Sequence, residues 1–455
     1  EIRATDHKEK VKEKESKAKP AATKEERRKR QIEKFSETMA RILSKIKYYH
    51  GLVSKSELEE TFKGALPGDF IIRKNERPTT DRVSYVVSVW TAHPGGTGSL
   101  EHYEVYYSVA KGWRMRTKEK TDPLIYKDSF HQLINYYHTS KQSFGVGSIL
   151  VRPLKRPDFH VLRDDVYFDA NEEGELHKLG SGNYGTVYKG KVHIGDQKCP
   201  VAIKEIKELF TRSPGDLKKI LGPFFEECRA MVPLDHPNII KLYGVCVETT
   251  PLLIITELAS DGDLPHYCKN NTVPTRKLAD FACGVASGLA YIANKKIIHR
   301  DLAARNVLVS GKMAKICDFG LSKSMLGGEA KILTKEILST RWHAPETLVQ
   351  GARTYTEKSD VWSFGIMMWE FGTRCKNFPF DGYASWKEHV KFGTDDIDPF
   401  TRTEGKASES QRANFPAFFR AAMKKCLVRD PSVRPTFEML KGFLDSEFAI
   451  LKTKK

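Results

Sequence analysis

The sequence predicts an α+β protein with two folded regions, a small one over residues 46–141 and a larger one over residues 166–450. Three observations lead there. Short β-like runs, Phe70 to Arg73, Val83 to Trp90 and Glu104 to Val109, are bracketed by helical stretches near Ser56 to Thr61 and Ser129 to Tyr137. Residues from about 175 to 260 are strand-rich around one helix. Residues 262–450 read mainly as helix, so the larger region divides into a strand-rich part and a helical part.

Residues 1–45 read as a basic tail, disordered or partly helical, rich in Lys, Arg and Glu and nearly free of aromatics, with too little apolar surface to offset the entropy of ordering. Within and just beyond it, Ile32, Phe35, Met39, Ile42, Leu43 and Ile46 recur at three- and four-residue steps, the spacing of an amphipathic helix. Such a helix either docks on the next domain or lies on a membrane surface. Docking is the simpler reading. The run His93-Pro94-Gly95-Gly96-Thr97-Gly98 marks a loop between two strands, and residues 142–165 read as a linker.

No run of about eighteen or more apolar residues occurs, and the amino terminus is densely charged. A cytoplasmic location follows as the expectation, with peripheral contact at the inner plasma membrane through the basic tail. The eight cysteines are widely spaced, contain no CxxC pair and all fall after residue 198, which suggests reduced packing thiols and neither a disulfide framework nor a zinc site. A net charge of +17 suits nucleic acid, anionic lipid or phosphorylated partners and does not choose among them. The motifs below make nucleic acid the partner not expected.

Leu179-Gly180-Ser181-Gly182-Asn183-Tyr184-Gly185-Thr186-Val187 is a glycine-rich hairpin in which Gly180, Gly182 and Gly185 let backbone N–H groups approach phosphate oxygens. Alone, it is also compatible with a dinucleotide-binding turn. The strand Val201-Ala202-Ile203-Lys204 decides between them, because it brings a lysine nineteen residues after Gly185 where a dinucleotide fold would need a helix. A lysine on an apolar strand needs a carboxylate. Phe224-Phe225-Glu226-Glu227-Cys228-Arg229-Ala230-Met231 offers one on a helix, and Glu227, beside the Phe224, Cys228 and Met231 face, is chosen over Glu226.

His299-Arg300-Asp301-Leu302-Ala303-Ala304-Arg305-Asn306 followed by Asp318-Phe319-Gly320 is the most specific signal in the chain. Asp301 is suited to orient an attacking hydroxyl and accept its proton, while Asn306 and Asp318 offer oxygen ligands for a Mg2+ ion bridging the phosphates of ATP. Residues 166–450 closely resemble the eukaryotic protein kinases, and the likeness continues through Ala344-Pro345-Glu346, Asp360-Val361-Trp362-Ser363-Phe364-Gly365 and Arg429-Asp430-Pro431-Ser432-Val433-Arg434-Pro435. The resemblance implies a bilobal kinase fold and a buried Glu346–Arg434 ion pair. In the adenine pocket it implies Thr256 as gatekeeper, Leu179, Val187 and Ala202 above the ring, and Leu308 below it. Leu302-Ala303-Ala304-Arg305-Asn306 is similar to the tyrosine-kinase form of the catalytic loop, with Arg305 among the catalytic residues, and Trp342 fits the same class. Ser339 departs from it, standing where that class usually has proline.

Residues 46–141 resemble an SH2 domain, a central antiparallel sheet flanked by two helices. Tyr48-Tyr49-His50-Gly51 opens it, and Gly68-Asp69-Phe70-Ile71-Ile72-Arg73 is similar to its phosphate-binding strand. Arg73 is the expected phosphotyrosine ligand, since a guanidinium grips phosphate through two parallel bonds and lysine cannot. Lys55 and His102 match accessory positions, whereas Asn75 stands for the usual serine and Glu104 for a residue that is often basic. This domain next to a tyrosine kinase, with no SH3-like segment before it, most resembles the Fes/Fer group of non-receptor kinases. The implied partners are tyrosine-containing protein substrates and phosphotyrosine proteins.

No tyrosine lies between Gly320 and Ala344, although kinases of this class commonly phosphorylate one there. Glu329 falls near its place and is expected to mimic the phosphate weakly; Thr334 is an alternative phosphosite, and residues 391–416 read as a polar loop. Two rivals stay open: an SH2 adaptor carrying an inactive kinase-like scaffold, and serine/threonine specificity.

Overall fold

The computed structural model describes residues 2–3, 23–75, 83–93, 98–108, 111–116, 125–145, 147–182, 185–206, 214–319, 323–324, 330–332, 340–348, 353–380 and 413–453. The chain divides into two compact units, Glu1–Phe225 with Tyr243–Thr256, and Glu226–Leu242 with Glu257–Lys455.

The first unit opens with helix α1 (Lys24–Ser44), which starts earlier than the apolar spacing predicts. Met39, Ala40 and Leu43 are buried, and Phe35 lies 5.3 Å from the Tyr107 ring and 6.3 Å from Trp113. The helix therefore docks on the neighbouring domain. Ile42, expected in the same stripe, is 54% exposed, because one helical step turns it away from Leu43.

That domain is a five-stranded sheet between two helices. Strands β1 (Asp69–Lys74), β2 (Ser84–Ala92), β3 (Gly98–Ser108) and β4 (Gly112–Met115) are antiparallel neighbours in that order, and β5 (Arg152–Pro153) joins the far side of β1 in parallel. Helix α2 (Lys55–Thr61) starts where the Ser54 hydroxyl accepts from Glu57 N–H at 3.1 Å. Helix α3 (Phe130–Ser140) starts at a reciprocal Ser129–Gln132 capping box. Period-two alternation sorts the sheet's side chains. Phe70 and Ile72 enter one core with Leu133, Ile134 and Tyr137 of α3, while Ile71 enters another with Leu58 of α2 and Phe62 just after it. Phe144 and Leu150, from the stretch after α3, complete the first core.

The second sheet of this unit contains β6 (Val166–Phe168), β7 (Lys178–Gly182), β8 (Gly185–Ile194), β9 (Gln197–Ile206), β10 (Leu242–Cys246) and β11 (Leu252–Glu257). Its order is β6-β8-β9-β11-β10, with β7 paired to β8 and the piece Ile2–Arg3 against β6. Helix α4 (Pro214–Met231) contains the division between the units.

The two sheets meet through backbone as well as side chains. Leu52 N–H donates to Val247 O at 2.7 Å, and Gly51, at φ +68°, sits where a Cβ would lie 2.4 Å from that oxygen. Around this contact the Glu248 carboxylate accepts from Arg163 N–H at 2.8 Å and lies 3.8 Å from the Arg156 guanidinium. The His50 and His160 rings meet edge to face, 6.4 Å between centroids. Burial lowers His50 to about 4 and His160 to about 3, and raises Glu248 to about 7.

The second unit is built on α5 (Leu264–Asn270), α6 (Thr275–Asn294), the hairpin β12 (Val307–Ser310) with β13 (Met313–Ile316), α7 (Glu357–Gly372), α8 (Ala417–Cys426) and α9 (Phe437–Thr453). Helix α7 is buried on every side from Ser359 to Gly372, as a helix apolar all round must be. A Cβ on Gly365 would meet Cys426 Cβ at 2.6 Å, so the glycine sets how closely α7 and α8 pack. The Arg434 guanidinium donates to both Glu346 oxygens at 2.7 and 2.9 Å, and to the Val428, Lys358 and Arg429 carbonyls. The expected ion pair is thus present with its remaining donors satisfied.

Candidate active site

In the second unit the loop before β12 brings three of the predicted residues together. The Asp301 carboxylate accepts from Arg305 at 2.5 Å and from the Asn306 amide nitrogen at 2.8 Å; the same nitrogen reaches Asp301 O at 2.6 Å. Spending its nitrogen on Asp301 leaves Asn306 its carbonyl oxygen as a free-standing acceptor type. The Arg305 guanidinium also lies over the Trp342 ring at 4.9 Å, a cation–π contact that fixes its plane.

The loop's shape is held from beneath. Arg300 adopts φ 71° and Asp318 φ 63°, left-handed conformations that non-glycine residues rarely take. Buried Asp360, at the start of α7, accepts from the N–H groups of His299 at 2.6 Å and Arg300 at 2.9 Å. Buried Glu370, ten residues on, accepts from Ala304 N–H at 2.8 Å and Trp342 Nε1 at 2.9 Å. Burial raises both carboxyls to about 7. The His299 ring bridges Cys317 O at 3.1 Å and packs 5.0 Å from Phe319, which is fully buried while its neighbour Asp318 is exposed. Leu308 on β12 lies between buried Val307 and Val309 and faces the opposite side of the hairpin.

In the first unit, register places the other predicted groups. Lys204 on β9 is opposite Val187 on β8, and Ala202 is opposite Lys189. Val201 and Ile203 enter the core of the sheet, so Ala202, Lys204 and Val187 share its other face. Thr256 follows the same alternation on β11, where Leu253 and Ile255 are the core residues. The glycine hairpin pairs Gly180 with Val187 and Gly182 with Gly185; Leu179, just before, is exposed. On α4, Phe224, Cys228 and Met231 are buried, Glu226 is exposed and Glu227 is half-buried, the arrangement its spacing predicts.

The amino-terminal domain has a polar cluster of its own. Arg73 is buried and its Nε donates to Ser88 Oγ at 3.1 Å; His102 Nδ1 meets the same hydroxyl at 2.9 Å. Asn75 donates to Ser84 Oγ at 3.0 Å, and Glu104 pairs with Arg116 at 3.2 Å. Lys55 is exposed and pairs with Glu59 one turn along α2 at 3.6 Å. The structure therefore joins Arg73 and His102 through one serine and engages Lys55 elsewhere.

Sequence reading missed Ser88, Asp360 and Glu370 as organisers. A small polar residue among Val86, Val87 and Val89, in register with Ile71 and His102, was the available signal for Ser88. Glu329, Thr334, Ser339 and most of 391–416 lie outside the described residues. Among the described residues all eight cysteines are free thiols, no cluster of His, Cys, Asp and Glu has the makings of a metal site, and no helix is long and apolar enough to cross a membrane.

The family model for protein tyrosine and serine/threonine kinases matches residues 175–444. The chain is 33% identical over 414 residues to human tyrosine-protein kinase Fer, covering 90% of this chain and 44% of Fer. It is 33% identical over 352 residues to Fer-related kinase 1 of Caenorhabditis elegans, covering 74% of this chain and 81% of that protein. It is 31% identical over 407 residues to human protein-tyrosine kinase 6, covering 88% and 81% respectively. The chain thus spans less than half the length of Fer and most of the two shorter relatives. The kinase motifs, the carboxylate-braced loop and these matches together make the chain a member of the protein tyrosine and serine/threonine kinase family, akin to the Fer-related non-receptor tyrosine kinases.

Proposed function

We propose that this chain transfers the γ-phosphoryl group of ATP to tyrosine hydroxyls of proteins, and that its amino-terminal domain is an SH2 domain binding phosphotyrosine partners. The observation that carries the catalytic reading is Asp301 held by Arg305 and Asn306. Those bonds orient its carboxylate, which then aligns the acceptor hydroxyl and takes its proton as the phosphoryl group moves. Arg305, fixed on Trp342, adds positive charge beside that carboxylate and suits the tyrosine form of the loop.

The protein kinase family uses ATP with Mg2+. The donor set fits: Asn306 keeps its carbonyl oxygen because its nitrogen is committed, and Asp318 presents an exposed carboxylate, two hard oxygen ligands of the kind Mg2+ prefers. When bound, the ion would neutralise charge developing on the phosphates. Lys204, partnered in this reading by Glu227, would hold the α- and β-phosphates, with Gly180, Gly182 and Gly185 covering them. Leu179, Val187, Ala202, Thr256 and Leu308 would enclose the adenine.

Support for the second function is Arg73, a guanidinium buried on β1 whose Nε donates to Ser88 Oγ beside His102, at the position the resemblance gives the phosphate ligand. His102 would line the same pocket, and Lys55 would have to leave Glu59 to join it. A cytoplasmic location, with the basic tail touching anionic membrane, accords with this reading.

The test is to incubate the protein with Mg-ATP and a mixed peptide pool and identify the phosphorylated residue. Phosphotyrosine is the expected product, falling at least about a hundredfold in Asp301→Asn, in line with the usual worth of a positioned general base. Transfer no greater than that of the variant would leave a phosphotyrosine-binding scaffold, and phosphoserine alone would defeat the tyrosine assignment.

A further inference from the structure

Tyr355, two residues before α7, has no part in the chemistry above, yet its ring reaches the loop that carries Asp301. The guanidinium of Arg300, the residue before Asp301, lies over the Tyr355 ring, 4.7 Å from its centroid. Both side chains are buried. The ring of His343, also buried, meets the same tyrosine edge to face, 5.9 Å between centroids. Arg300 is thus held at both ends, because its N–H donates to Asp360 at 2.9 Å while its charge rests on an aromatic face. Such a face carries negative potential, and it attracts a cation more strongly where water is excluded. Between those two holds the backbone of Arg300 stands at φ 71°, a left-handed conformation that persists only where its surroundings enforce it. Tyr355 has a second attachment. It ends the strand piece Arg353–Tyr355, which pairs antiparallel with Ala330–Ile332 so that Ala330 stands opposite Tyr355. One residue therefore meets the segment that follows Asp318 through its main chain and the catalytic loop through its ring.

We propose that Tyr355 is a positioning residue for phosphoryl transfer: its ring holds Arg300 in the conformation that aims Asp301 at the acceptor hydroxyl, and its strand couples the loop to Ala330–Ile332. The proposal rests on the reading of Asp301 as the group that aligns that hydroxyl. Asp360 alone fixes amides, and an amide bond leaves the side chain of Arg300 free to turn. The ring fixes the side chain. Were Arg300 to relax from its left-handed conformation, the chain would enter Asp301 in another direction, and the carboxylate would leave the place where Arg305 and Asn306 now hold it. Turnover is the quantity that suffers, since the change falls on Asp301 and not on the groups proposed to hold the nucleotide. A ring is also a permanent partner for the arginine, one that needs no modifying enzyme to install it.

The test replaces Tyr355 in the full chain by Leu, by Phe and by a trifluorophenylalanine, which keeps the size of the ring while draining its face of negative potential. Hydrogen exchange of the peptide covering residues 299–306 is followed by mass spectrometry, and peptide phosphorylation is measured beside it. Tyr355→Phe should match the parent in both. The fluorinated ring should speed exchange of the loop and lower kcat about fivefold, and Tyr355→Leu about tenfold, with KM for ATP held within about twofold. Phe and its fluorinated form behaving alike would overturn the cation–π brace, because a ring that merely fills space does not sense fluorine. Loop exchange unchanged in Tyr355→Leu, or a loss carried by KM for ATP instead of kcat, would overturn the positioning role. Should the leucine variant not fold, the comparison of the two rings decides alone. Exchange is read without reference to turnover, so a parent chain that transfers no phosphate would defeat the phosphoryl-transfer reading separately from the brace.

Discussion

The loop carrying Asp301 and the cluster around Arg73 each set a charged side chain that we propose works on a phosphate, yet they are braced in different ways. The loop is fastened by two buried carboxylates that accept four N–H groups between them. The arginine's Nε donates to a neutral hydroxyl, with a carboxylate on the same sheet engaged by Arg116. Ionised acceptors make the stronger hydrogen bonds, so the first arrangement fixes backbone geometry. A hydroxyl acceptor makes the weaker bond, so this contact of the second holds a side chain less firmly. The stronger acceptors brace the loop proposed to place a proton, and a hydroxyl stands in the cluster proposed to catch a partner.

The largest test of that contrast is Asp360→Ala, which strips the acceptor from two buried N–H groups. At 1–3 kcal/mol for each such group, a loss of about 4 kcal/mol is expected, seen as a lowered unfolding midpoint of the full chain. Asp360→Asn keeps one acceptor oxygen, for one of the two N–H groups, and should lose about half as much; equal losses would mean that the charge, not the hydrogen bonds, braces the loop. Arg73→Lys comes next. Titration with a labelled phosphotyrosine peptide should show affinity reduced tenfold to a hundredfold, about 1.4 to 3 kcal/mol, with no change in the unfolding midpoint. Binding that survives would remove Arg73 from the pocket. The smallest effect is expected of Glu104→Gln, which should tighten the same peptide a few-fold, most clearly at low salt, because the repulsion removed is partly exposed and screened. Weakened binding would show that the Glu104–Arg116 pair builds the pocket instead of competing with it.

Much of this was legible in the residues themselves, for a local reason. Gly180 to Gly185, Asp301 to Asn306 and Asp318 fall within short stretches, so type and spacing pick them out as candidates. Strand alternation gave the shared face of Ala202 and Lys204, and helical spacing gave the docked side of α1. What stayed hidden depended on distant partners. Asp360 and Glu370 sit about sixty residues from the amides they hold, in a helix whose apolar composition signals only burial. Ser88 is a hydroxyl in a strand of valines until register places it between Arg73 and His102. Lys55 shows the converse, since its position in the sequence suggested a ligand and a glutamate one turn away engages it instead.

The contact between Gly51 and Val247 bears on how such a chain can be taken apart. A seam in which one module's backbone donates to the other's is not a perforation between interchangeable cassettes. Removing residues 142–165 would take Arg156 and Arg163 from Glu248 and His160 from His50. A transplanted domain would need a glycine at the crossing, since any side chain there would press on the Val247 carbonyl. The two halves therefore carry a shared inheritance: substitutions acceptable to either alone are filtered by the other across a few ångströms of backbone.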